Sequence, residues 1–447
     1  MRKLSIPPWI PTLLVAVAIY LAVYYSKQTG RITTYWYQVI QIAALTAVSA
    51  LGLNLIYGFN GQFSLGHIGF YAIGAYGSAL ITKDFATPWS GTQTGALAWM
   101  IAGQIAVLLV LVLGRVLRIG ALGGWLRAAL QDSLKPAETR VIVVLVTLVP
   151  LAVCLAFGWF ATRYLQMGLS VVLQNTLPKL PQMAAERVIF FVALLTGGTM
   201  AALVAYLVGL PLLRLGSDYF GIATLGFAIM VYTALQNSDL VIPTMKGARG
   251  MVAIPRWTDW TWVFGGLVLS AIIMRNLIYS SHGRALMAVR EDEIAARTMG
   301  LDVVQLKAVA FAVGAFFAGL SGGFYAHLFG FLHPSTFNFV RGFDPMIIIV
   351  FGGLGSMTGT VVASGLFAVI LEGLRVVLPQ GFEDWRFVVY PVILLLVMLL
   401  RQKGLLGTSE WGWLRAPAPP PPPARRPAGD GDAAPAAGVG TGAGEGA

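Results

Sequence analysis

Few residues in this chain are of a type that performs chemistry, and most of those stand apart from one another. His67 and His327 lie in different apolar stretches, and the single cysteine, Cys154, falls inside another. Nucleophilic and metal chemistry both require such groups to be clustered. Cys154 is therefore read as a packing residue, and the two histidines as packed or hydrogen-bonded ahead of any proton-relay role. A phosphate-cradling Gly-x-x-x-x-Gly-Lys-Ser/Thr loop is also missing, since no Gly-Lys pair occurs. Any nucleotide energy must then be supplied by a partner.

Polar residues do gather in two places. The first is the glycine-dense stretch from Gly58 to Gly77, which carries Asn60, Gln62, Ser64 and His67. Clustered glycine permits close helix packing, and it equally permits an interrupted helix whose freed backbone lines a polar cavity. Both readings stand at this point. Gly216 to Phe227, which contains Thr224, and Gly352 to Gly359 share the texture. Leu55 to Gly69 also matches Ile349 to Ala363 weakly enough to hint at an internal repeat.

The second place is Gly283 to Gly300, the most charged stretch between apolar runs. Asp292 can cap a short helix that Gly300 closes, and Glu293 stands four residues before Arg297, the favourable order for an ion pair. Leu286, Val289, Ile294 and Met299 add apolar faces. Such a helix suits a groove on another protein, with a solvated loop as the plain alternative. Within the apolar runs, charge is scarce. Glu372 and Arg375, three apart, read as a structural pair, and no buried charge pair is evident that would read the two ends of an amino acid.

The elements that must position these groups are membrane helices. Of 447 residues 57% are hydrophobic and 11% charged, against about 25% charged in a soluble domain. Apolar segments fall near 10–25, 38–57, 63–82, 97–117, 141–160, 188–213, 218–236, 261–279, 306–331, 345–354, 359–377 and 386–400. A helical span takes about 20 apolar residues, and closed helices satisfy their own backbone in lipid. The expected fold is thus an all-α polytopic transmembrane bundle of 10–12 segments, some broken or re-entrant, over 1–414. From 415 to 447 the composition turns to Pro, Ala and Gly, and a disordered tail is expected.

The net charge of +11 does not point to nucleic acid, because the basic residues are spread over short loops. With the N-terminus in the cytoplasm, Arg115, Arg118, Arg127, Lys135 and Arg140 all fall inside, as do Arg284, Arg290, Arg297, Lys307, Arg401 and Lys403. Both termini are then cytoplasmic. This threading requires 345–378 to cross twice around a turn at Gly352 to Gly359, the alternative being one long tilted helix. Arg2 and Lys3 precede the first apolar run, but Pro7, Pro8 and Pro11 crowd it, so it reads as an uncleaved span.

Leu51-Gly52-Leu53-Asn54-Leu55, Gly61-Gln62-Phe63-Ser64-Leu65-Gly66-His67, Leu210-Pro211-Leu212-Leu213-Arg214-Leu215 and Gly216 to Phe227 together carry a family resemblance. Arg290 to Ala296, Ala326-His327, Gly352 to Ser356 and Leu400 to Leu405 extend it. The chain resembles the permease subunits of branched-chain amino-acid ABC importers, of the LivM type. The resemblance implies a subunit that is not itself an enzyme and binds no cofactor, in the inner membrane of a prokaryote. It implies four further partners: a second, LivH-like permease, two ATP-binding subunits, which hold the ATP, and an extracytoplasmic substrate-binding protein.

On that resemblance 283–300 is the coupling helix, with Arg284, Arg290, Glu291, Asp292, Glu293, Ala295, Ala296, Arg297 and Gly300 at the ATPase-docking face. Its Glu293-Ile294-Ala295-Ala296 carries one residue more than the Glu-Ala-Ala pattern of such loops. Asn60, Gln62, Ser64, His67 and Thr224 are expected to line the pathway. Where relatives show Thr-Gly-Gly-x-x-Gly, this chain has Thr244 to Gly250. Lys246 and Arg249 there would meet a substrate carboxylate or the binding protein, unless the loop is simply hydrated. Residues 114–181 read as an insertion. Urea, short amides and other amino acids remain open as cargo. A stand-alone channel or ion-coupled carrier is disfavoured by the scarcity of embedded charge, and a membrane enzyme by the scattered histidines.

Overall fold

The computed structural model describes residues 9–83, 91–116, 158–173, 181–213 and 217–377, with single positions at 156 and 175 and short stretches between 392 and 414. Most of the expected spans at 141–160 and 386–400, most of the 114–181 insertion and the tail from 415 lie outside the described residues. Among the described residues regular structure is helical, and extended backbone pairs only at one antiparallel bridge, Met251 with Leu332.

The helices follow the apolar periodicity closely. They are α1 (Trp9–Gln28), α2 (Thr34–Leu53), α3 (His67–Lys83), α4 (Gly91–Val116), α5 (Gln182–Leu212), α6 (Ser217–Gln236) and α7 (Trp260–Ile278). There follow α8 (Ser281–Glu291), α9 (Glu293–Thr298), α10 (Val303–Phe329), α11 (Phe343–Gly352) and α12 (Met357–Val377). Residues 158–173 are helical as well. Among the described residues six helical stretches are long and apolar enough to cross a bilayer, Thr34–Phe59, Gln182–Leu212, Tyr219–Gln236, Trp260–Ile278, Val303–Phe329 and Met357–Arg375. Exposed Leu207, Met230, Leu269, Val309 and Val362 give five of these helices outward faces suited to lipid. The chain is a multi-pass helical membrane protein.

α10 is the central post. Small residues let other helices reach it at backbone distance: a Cβ at Gly74 of α3 would stand 2.2 Å from the backbone of Gly319, and one at Gly52 of α2 2.5 Å from the carbonyl oxygen of Gly314. Between these contacts Phe70, Phe190, Phe311 and Phe317 are fully buried and fill the gaps.

Two helices start inside the bundle. α2 runs on through a π-helical turn, Asn54–Phe59, and the chain then returns non-helically over 60–66 before α3 begins at His67. α11 follows two 3-10 turns, Pro334–Phe337 and Phe339–Gly342, and has ten residues, about 15 Å of rise or roughly half a bilayer core. One long helix over 345–378 is excluded, because Gly353 (φ +117°) and Gly355 (φ +83°) turn the chain between α11 and α12. The two glycine-rich connections meet: Asn54 Nδ2 donates to Ser356 O (3.0 Å) and Thr360 Oγ1 (2.9 Å), and Gly355 N donates to Asn54 Oδ1 (3.0 Å).

Candidate functional site

The interrupted helices border a cavity. Ser49 and Leu45 of α2, His67 and Tyr71 in the first turns of α3, Tyr325 of α10, and Arg341 and Asp344 around the start of α11 line a volume of about 100 Å³. A groove of about 350 Å³ shares Ile42, Thr46, Tyr325, Arg341 and Asp344 with it and runs out to Tyr35, Glu372 and Arg375. Small-molecule sites commonly lie where broken helices meet near mid-bundle.

His67 reaches this cavity because α3 begins there. Its Nε2 lies 2.9 Å from the carbonyl oxygen of Ser49 and so donates to it, while its buried Nδ1 has no partner among the described residues. The other four expected pathway residues do not line the cavity. Asn60 Nδ2 donates to Gln62 Oε1 (2.8 Å), and Asn60 Oδ1 and Ser64 Oγ are buried without a described partner along the returning segment. Thr224 is a brace: its Oγ1 donates to Gly221 O (2.8 Å) and accepts from Leu65 N (3.1 Å), fastening that segment to α6.

His327 is packed. Its Nδ1 meets Gly323 O at 2.7 Å and its Nε2 meets Thr82 Oγ1 at 2.7 Å, with Phe190 and Trp257 against the ring. Glu372 and Arg375 pair at 3.6 Å, and Tyr35 donates its hydroxyl to Glu372. Lys246 and Arg249 are exposed in two consecutive 3-10 turns between α6 and α7. Arg341 and Asp344, not singled out from the sequence, both line the cavity without forming an ion pair with each other. They lie between two apolar runs, and the 3-10 turns fold them back to the cavity. The one local signal was Pro345, a helix-start residue directly after Asp344.

The charged segment forms a cap-and-pair structure much as expected, but as two helices. Ser280 Oγ accepts from Gly283 N (3.2 Å) at the start of α8, and Asp292 Oδ1 accepts from Ile294 N (2.9 Å) and Ala295 N (3.0 Å) at the start of α9. Glu293 pairs with Arg297 at 2.6 Å and also with Lys307 of α10 at 2.6 Å. The hydrogen bond from Lys307, aided by Arg297, holds the Glu293 carboxyl below its ordinary 4.5. Arg290 donates from Nη1 to the carbonyl oxygen of Gly58.

Leu286, Val289 and Ala296 are buried, the last two packed against Val303, so Ala296 offers no outward surface. Arg284, Glu291, Asp292, Ala295, Arg297 and Gly300 are exposed. Between them stand Ile294 at 77% and Met299 at 82% exposure, an apolar pair within a charged rim. This arrangement can dock a protein while remaining tied to the bundle through Gly58 and Lys307.

Residues 150–398 match the family model described as "Branched-chain amino acid transport system / permease component". The chain is 31% identical over 251 residues to the high-affinity branched-chain amino acid transport system permease protein LivM of Escherichia coli K12, covering 48% of this chain and 57% of that protein. It is 27% identical over 178 residues to LivH of Salmonella typhimurium, covering 40% and 55%. A probable LivM of Methanocaldococcus jannaschii is 24% identical over 228 residues, covering 46% and 66%. The matches thus span little more than half the length of the first two relatives. No solved structure matches significantly.

Proposed function

The chain belongs to the family of permease components of branched-chain amino acid transport systems, and on that premise we propose that it is one permease subunit of an ATP-driven importer of branched-chain amino acids. Its partners are a second, similar permease, two ATP-binding subunits and an extracytoplasmic substrate-binding protein. ATP is held and hydrolysed on the ATP-binding subunits. The chain sits in the cytoplasmic membrane of a prokaryote with α8 and α9 facing the cytoplasm and both termini on that side. It performs no covalent chemistry.

One observation carries this reading: an exposed helix pair is tied by Arg290 to the π-turn of α2 and by Glu293 to the start of α10. Those are the helices that supply Ser49 and Tyr325 to the cavity. A push on α8–α9 is therefore delivered to both walls of the cavity, as reorientation of a bundle around a fixed site requires.

The docking surface is tested by Ile294→Asp combined with Met299→Asp, two exposed positions whose change leaves the bundle packed. The variant is expected to insert in the membrane and to lose co-purification with the ATP-binding subunits. Co-purification together with uptake at the wild-type rate would overturn the reading.

A further inference from the structure

We infer that the cavity at the starts of α3 and α11 is a cargo site that reads both ends of a free amino acid, with Arg341 taking the α-carboxylate and Asp344 and His67 Nδ1 taking the α-ammonium. The inference rests on the importer reading above and adds to it the place in this chain, and the residues, that hold the cargo.

The first support is a pair of opposite charges on one cavity that form no direct ion pair with each other. Arg341 and Asp344 line one cavity, three residues apart, with Arg341 exposed and Asp344 partly buried. Among the described residues, ion pairs join Glu293 to Arg297, Glu293 to Lys307 and Glu372 to Arg375, and none involves Arg341 or Asp344. A partly buried carboxylate such as Asp344 gains from a second cation brought into the cavity, and the exposed Arg341 is free to take an anion there. A zwitterion answers both residues at once. Urea or a neutral amide can hydrogen-bond these groups but brings a charge to neither, and a simple carboxylate or amine brings a charge to only one.

The second support is independent of the charges. Because Nε2 of His67 donates to Ser49 O, the neutral ring has a bare lone pair at Nδ1, and that atom is buried without a described partner. An ammonium N–H supplies what it lacks. Ile42, Leu45 and Ile68 complete the wall with branched apolar surface, which suits a branched aliphatic side chain.

The test uses the complete importer in proteoliposomes with leucine-loaded binding protein, measuring leucine taken up per ATP hydrolysed. Asp344→Asn and Arg341→Gln are expected to keep ATP hydrolysis stimulated by loaded binding protein while leucine moved per ATP falls about 10-fold or more. Asp344→Glu and Arg341→Lys, which keep the charges, are expected to recover much of it, a rescue that a purely structural role would not show. A wild-type importer that takes up leucine, with both charge-removed variants within about two-fold of it, would overturn the proposal. A wild-type importer that hydrolyses ATP but takes up no leucine would overturn the cargo reading and this site with it.

Discussion

Arg290 on α8 donates a hydrogen bond from Nη1 to the carbonyl oxygen of Gly58, the fifth residue of the π-helical turn that ends α2. A single side chain thereby joins the exposed helix pair to the interrupted helix. Gly58 itself packs so tightly that a Cβ there would lie 2.7 Å from Gly355 N, so the bond also bears on the turn between α11 and α12.

Removing that link should separate ATP hydrolysis from movement of cargo. Arg290→Ala is expected to insert and to bind the ATP-binding subunits, while uptake per ATP falls about 10-fold, the worth of one charge-assisted hydrogen bond. Coupled uptake and hydrolysis in reconstituted vesicles measure this. An unchanged ratio would show that Arg290 transmits nothing.

Glu293 makes the attachment of α9 sensitive to acid. Its folded-state pKa lies below 4.5 through Lys307 and Arg297, so its contribution is present at neutral pH and is lost only as pH falls through that depressed value. Protection of the α9 amides, corrected for the intrinsic pH dependence of exchange, should persist down to the ordinary carboxyl value of 4.5 and fall below it, the acceleration being measured against that intrinsic rate. In Lys307→Met the largest cause of the depression is gone, and the acceleration should begin at higher pH. Identical profiles for the two proteins would refute this role.

The contact between Gly74 and Gly319 leaves no space for a methyl group. Gly74→Ala is expected to destabilise the detergent-solubilised protein by about 1–3 kcal/mol through overpacking, read as a lowered Tm. Gly226, with nothing within 4 Å of a built Cβ, is the control: Gly226→Ala should leave Tm unchanged or slightly raised. Equal effects at both positions would contradict the packing argument.

Glu410 holds the start of α12 from beyond the last apolar run. Its carboxylate accepts from Met357 N (2.5 Å), Thr358 N (3.1 Å) and Thr358 Oγ1 (2.5 Å), while Leu405 N donates to Phe351 O (2.8 Å) at the end of α11. Glu410→Ala should cost about 1 kcal/mol, as loss of a helix cap does, and should increase exchange at the amides of Met357 and Thr358. Exchange at those amides equal to wild type would refute the capping role.

The amino-acid sequence determined on its own whatever depends on local composition and period. The apolar runs placed the ends of most described helices within a few residues, because a lipid-facing helix must be apolar over its whole length. The Asp292 cap, the Glu293–Arg297 pair and the break near Asn60 were equally legible, since each depends on neighbours a few residues apart. The tertiary structure decided where polar groups converge. Two 3-10 turns bring Arg341 and Asp344 to the cavity, and Thr224 braces Leu65 across 159 positions. Lys307 had no visible claim on Glu293, nor Arg290 on Gly58, 232 positions away. A cavity is made by helices distant in the chain, and no local period encodes which of their polar groups will face one another.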